Sequence, residues 1–111
     1  MSVENEDVVD IISIDKANSV VLTISDHLDW SDTTEHQLLL QSKFNRYLAF
    51  VESGDLLERY PAGKGLRVKF RVVFKFKPDQ TSLEFLAKAK QIIEEAGFSL
   101  ETEVFAESDD N

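Results

Sequence analysis

The stretch from Leu66 to Lys77, LRVKFRVVFKFK, constrains the fold more than any other part of the chain, because it alternates with a period of two. Leu66, Val68, Phe70, Val72, Phe74 and Phe76 point one way, and Arg67, Lys69, Arg71, Val73, Lys75 and Lys77 point the other. A strand of this kind belongs to a sheet with one face in water and one face against an apolar layer. With 111 residues, 42% of them hydrophobic, the chain is long enough to supply that layer itself as one two-layer domain.

The remaining segments supply the sheet and its cover. Val8 to Asp15 and Ser19 to Ser25 read as strands, joined by a hairpin turn over Lys16-Ala17-Asn18-Ser19 in which Asn18 tolerates a positive φ. Helix caps cluster from Ser31 to Thr34, and Asp32 with Glu35 resembles a capping box. The helix they open is expected to run to Ser53, with Gly54 as its terminator and His36, Leu40, Phe44, Tyr47, Leu48 and Val51 on its apolar face. Asp55 is expected to cap one further turn before Pro61 and a flexible Ala62-Gly63-Lys64-Gly65 loop. After the alternating strand, Thr81 with Glu84 forms a second capping box, and Leu86, Ala89, Ile93 and Ala96 give a helix seam ending at Gly97. Phe98 to Phe105 alternates again and reads as the last strand.

The order β-β-α-β-α-β predicts an α+β two-layer sandwich, a four-stranded mixed sheet with two helices packed on one face. One domain is expected over residues 1–111, its folded core at about 8–105 and a disordered acidic tail at 106–111.

The motif Asp26-His27-Leu28-Asp29-Trp30, followed by Leu39-Leu40-Gln41-x-Lys43-x-Asn45-x-Tyr47-Leu48-x-Phe50-x-Glu52-Ser53-Gly54 and then Tyr60-Pro61, resembles an uncharacterised bacterial domain family of unknown function. The resemblance continues through the Phe-rich strand to Glu94-Glu95-Ala96-Gly97-Phe98. It implies a small bacterial domain and assigns it no activity.

Charge and composition remove several functional classes. The absence of Cys excludes disulfides, thiolate nucleophiles and cysteine-ligated metals. An acidic N-terminal segment unlike a signal peptide, and no apolar run of membrane-spanning length, lead to an expected cytoplasmic location with no membrane partner. The net charge of -9 repels phosphate backbones, so nucleic acid is disfavoured. The basic stripe Arg67, Lys69, Arg71, Lys75 and Lys77 lacks interleaved aromatics for base stacking. Glu101 and Glu103 alternate in the same way, and a cross-strand charge ladder would occupy the stripe. Gly63-Lys64-Gly65 precedes a strand where a phosphate loop needs a helix, and reads as a turn.

Asp26, His27, Asp29, Trp30, Asp32, Glu35 and His36 gather hydrogen-bonding groups where a strand meets a helix N-terminus. An acid–base site would use His27 oriented by Asp26 or Asp29, since imidazole titrates near neutral pH. No nucleophile motif accompanies it. The two histidines lack metal-ligand spacing, so neither metal nor cofactor is expected. Against these stands a structural account in which Asp29 and Asp32 cap backbone donors, Trp30 plugs the layer edge and His36 opens the core seam. Gln41, Asn45 and Glu52, beside the apolar seam of the helix, are candidates to line a groove.

The functional expectation is a non-enzymatic binding or protein-interaction module that uses the 26–36 junction or its acidic surface, with binding residues Asp26, His27, Asp29, Trp30, His36, Gln41, Asn45 and Glu52. Its partner is a protein, and an acidic surface favours a basic one. The alternatives are a small hydrolase or lyase built on His27 with Asp26 or Asp29, and a homodimer joined at a sheet edge with a structural role.

Overall fold

A computed structural model describes residues 11–105. The expected strand start at Val8 and the acidic tail at 106–111 lie outside the described residues. The elements are β1 (Ile11–Ile14), β2 (Ser19–Asp26), α1 (Thr33–Glu52), α2 (Asp55–Arg59), β3 (Arg67–Phe74), α3 (Gln80–Glu95) and β4 (Ser99–Val104). The four strands form one mixed sheet in the order β1-β2-β3-β4. β1 pairs antiparallel with β2, whereas β2 with β3 and β3 with β4 are parallel.

Each parallel step needs a crossover, and both crossovers advance the chain in the same direction across the sheet. Right-handed connections then put both helices on the same face. There α1 touches α3, and Gln37 of α1 donates its side-chain N–H to Ser82 Oγ of α3 at 3.2 Å. The period of two decides which strand residues they cover. Val20, Leu22 and Ile24 of β2, with Val68, Phe70, Val72 and Phe74 of β3, are buried beneath Leu40, Phe44, Tyr47, Leu86 and Ile93. The edge of Phe70 meets the Tyr47 ring at 85°, with centroids 5.7 Å apart.

The local signals act largely where their chemistry places them. Asn18 takes a φ of 62°, and the Asp15 carboxylate closes the hairpin by accepting from Ala17 N and Ser19 N. Asp32 caps α1 by accepting from Glu35 N at 3.1 Å, and Gly54, at φ 91°, ends it. On the solvent face, Lys69 lies 3.1 Å from Asp15 and 3.2 Å from Glu101, and Arg71 lies 2.6 Å from Glu103. These contacts run diagonally, since the residue registered against Arg71 is Glu101. The cross-strand ladder therefore engages the centre of the basic stripe.

Four features depart from expectation. β3 ends at Phe74, three residues short, because Lys75 N makes the last bond to Asp26 O and the chain then bends away. Phe76 is consequently 40% exposed and outside the core. α3 is capped two residues earlier than the Thr81 box suggests: Asp79 accepts from Ser82 N at 2.8 Å and Thr81 lies within the helix. Asp55 is the first residue of α2, whose cap position is Gly54. Pro61–Gly63 forms a single 3-10 turn instead of a flexible loop, and Gly63 is packed so closely on Val20 that a Cβ would stand 2.8 Å from Val20 Cγ2.

Candidate functional site

Asp26 is the last residue of β2, and strand alternation turns its carboxylate to the helix-covered side, where it is 2% exposed. His36, on the first full turn of α1, is equally buried and meets it, with Nε2 2.5 Å from Asp26 Oδ2. The other ring nitrogen, Nδ1, is 3.0 Å from the carbonyl oxygen of Asp29. A carbonyl only accepts, so Nδ1 carries a hydrogen. The short Nε2–Oδ2 contact then requires one proton between its two atoms, and the pair is neutral overall whichever atom holds it. Burial pushes the Asp26 carboxyl above the ordinary carboxylate range, a shift that the His36 hydrogen bond opposes. Asp26 Oδ1 accepts from Leu28 N at 3.1 Å, so both carboxylate oxygens are engaged.

Trp30 closes this pair from outside. Its ring stacks on His36 with centroids 3.6 Å apart at 17°, leans on Phe74 at 5.8 Å, and donates Nε1–H to Phe76 O at 3.1 Å. The adjacent loop is held in the same way: Asp29 accepts from Ser31 N and Ser31 Oγ, which keeps its carboxyl below the ordinary range. Thr33 Oγ1 donates to Asp79 Oδ2 at 2.8 Å and ties the starts of α1 and α3 together. The junction thus sits at the C-terminal ends of the parallel strands, where open sheets commonly accept ligands. Here the tryptophan fills the position.

The structure joins Asp26 to His36, and the side chains of His27 and Asp29 are exposed at the junction. Among the described residues, no three His, Asp or Glu side chains converge as metal ligands would.

Gln41 and Asn45 lie elsewhere. With Phe44 and Leu48 of α1 and Phe85, Lys88, Ala89, Ile92 and Ile93 of α3, they line a groove of about 270 Å³ between the helices. Its floor is apolar, its rim carries two amides and one ammonium group, and Ile92 at its mouth is 59% exposed. Glu52, the last residue of α1, is exposed and does not line the groove; nor do His27 and Trp30.

Sequence reasoning missed the α3 half of this groove and the burial of Lys43. Lys43 is fully buried, with Nζ 5.7 Å from the centre of the Tyr47 ring. The spacing His36, Leu40, Lys43, Tyr47, Phe50 carried the signal, since it places Lys43 in the buried stripe. Its charged type concealed it, because lysine is rarely fully buried.

An open four-stranded mixed sheet, helices on one face, a sealed Asp–His–Trp junction and an apolar interhelical groove define a small α+β domain. The chain belongs to the Family of unknown function (DUF6572), whose model matches residues 1–106. No curated protein and no solved structure matches it. Among the described residues, no helix is long and apolar enough to cross a membrane.

Proposed function

We propose that the protein is a binding module that engages a protein partner through the groove between α1 and α3. The observation that supports this reading is the combination, in one recess, of an apolar floor and a hydrogen-bonding rim made by Gln41, Asn45 and Lys88. Pockets for small molecules span about 300–1,000 Å³. At about 270 Å³ and open on one side, this groove suits one large apolar side chain of a polypeptide, whose flanking backbone would meet the two amides. Catalysis has less support, since the carboxylate best placed for it is buried and bonded to His36 and Leu28. The charge of -9 would speed encounter with a basic partner, an effect that weakens as salt rises, whereas contact in the apolar groove persists.

Photo-cross-linking from single positions tests this. A photoreactive residue at Asn45 or Lys88 is expected to label the same partner, and one at Arg67 on the opposite face is not. Ala89→Trp, which fills the groove, is expected to abolish labelling while leaving the circular dichroism of the chain unchanged. Equal labelling from Arg67, or labelling indifferent to Ala89→Trp, contradicts the proposal.

A further inference from the structure

Among the described residues, no strand pairs with the outer side of β4. The direction of its backbone groups follows from one bond: Phe105 N donates to Phe74 O at 2.6 Å, so Phe105 faces β3. By alternation Glu103 and Glu101 also face β3, and Leu100, Thr102 and Val104 aim both N–H and C=O outward. An antiparallel partner can pair only outward residues with outward residues. For a second copy related by a two-fold axis, the register that uses all three sets Thr102 against Thr102 and Leu100 against Val104, each pair exchanging both hydrogen bonds. A shift by two residues in either direction loses part of this ladder.

The side chains agree with that register, because the sequence Leu100-Glu101-Thr102-Glu103-Val104 is nearly symmetric about its centre. On the helix side Leu100 would meet Val104, which is 43% exposed in the single chain. On the other side Glu101 would stand opposite Glu103, an unfavourable pairing for bare carboxylates. Each is already matched by a cation, Lys69 at 3.2 Å and Arg71 at 2.6 Å. Arg71 Nε, buried and without a hydrogen-bond partner, leaves one more donor beside these acids.

The helix layer fits as well. Leu83, Leu86, Ala87 and Lys90 of α3 overhang a recess of about 510 Å³ beside Leu100 and Thr102, and Leu83 is 44% exposed. A helix seated over β3 and β4 would stand two strand spacings, roughly 10 Å, from its symmetry mate. Helices pack at about 8–10 Å, with small residues such as Ala87 permitting the closer end.

We propose that the β4 edge and the adjoining flank of α3 form an interface with a second copy of this chain, giving a continuous eight-stranded sheet with Thr102 on the two-fold axis. The interface lies on the flank of α3 away from Phe85, Lys88, Ala89 and Ile92, so it leaves the proposed groove open and stands independently of it.

Solution mass and single cysteines test the proposal in the full chain, which has no native Cys. Sedimentation is expected to give twice the 12.6 kDa chain mass. Thr102→Pro removes the outward N–H at a place where an edge strand tolerates proline, and is expected to give a monomer with unchanged circular dichroism. Thr102→Cys is expected to form an intermolecular disulfide on mild oxidation, since directly opposed residues lie about 5.5 Å apart between Cα atoms. Leu100→Cys alone is expected not to, yet should cross-link when mixed with Val104→Cys. A chain monomeric at every concentration, or one whose Leu100→Cys variant cross-links with itself as well as Thr102→Cys does, overturns the proposal.

Discussion

Asp26 shows how one side chain can couple strand, loop and helix. Its carboxyl is held above the ordinary range by burial, and the folded pair keeps the shared proton at a pH where the unfolded chain gives it up, so stability is lost as pH rises. Asp26→Asn supplies a permanent N–H toward His36 Nε2 and keeps an acceptor for Leu28 N. Relative to the parent, this variant is expected to gain stability as pH increases, with a slope of up to about 1.4 kcal/mol per pH unit, measured by urea unfolding between pH 5 and pH 9. Asp26→Ala is expected to cost about 3 kcal/mol, because it strands His36 in a buried site. Equal pH profiles for parent and Asp26→Asn would refute the shared-proton account. Motif proximity drew attention to His27, and alternation along β2 with one helical turn of α1 brings His36 to Asp26.

Elements were largely legible because their punctuation is chemical and local. Asn18, Asp32, Gly54 and Gly97 are read correctly from residue type alone, since each satisfies backbone groups or a positive φ within its own turn. The boundaries that shifted depend on distant partners. β3 stops where β2 stops offering hydrogen bonds, and Phe76 O instead accepts from Trp30, which is 46 residues away in the chain. The cap of α3 is a second instance: Asp79 accepts from Ser82 N and also from Thr33 Oγ1 of the other helix, so it serves both helix starts. Asp79→Ala is expected to lower the melting temperature by roughly 5 °C, whereas Thr81→Ala leaves it nearly unchanged. A larger loss for Thr81→Ala would return the cap to the later position.

At the scale of the molecule, opposing proton linkages bound the pH range of the fold. Asp15, Asp29 and Asp79 sit below the ordinary carboxylate range because hydrogen bonds favour their charged forms, with Ser19 N, the Ser31 hydroxyl and the Thr33 hydroxyl the main donors respectively. Their contribution is present above a pH of about 3.9 and is lost as pH falls through their lowered values. Acid unfolding followed by circular dichroism is therefore expected to set in below about pH 3.9, and at higher pH in the Asp15→Asn variant, which loses the anion that Ser19 N, Ala17 N and Lys69 bind, than in the parent. Sheet and helices, the apolar rows and the acidic charge balance were determined by the sequence itself, because period, propensity and charge are properties of consecutive residues. Strand order, the Asp26–His36 pairing, the burial of Lys43 and the meeting of Gln41 and Asn45 with Phe85 and Lys88 were decided only by tertiary structure. Each depends on which surfaces approach across the layers, and that choice is made by the packing of the whole chain.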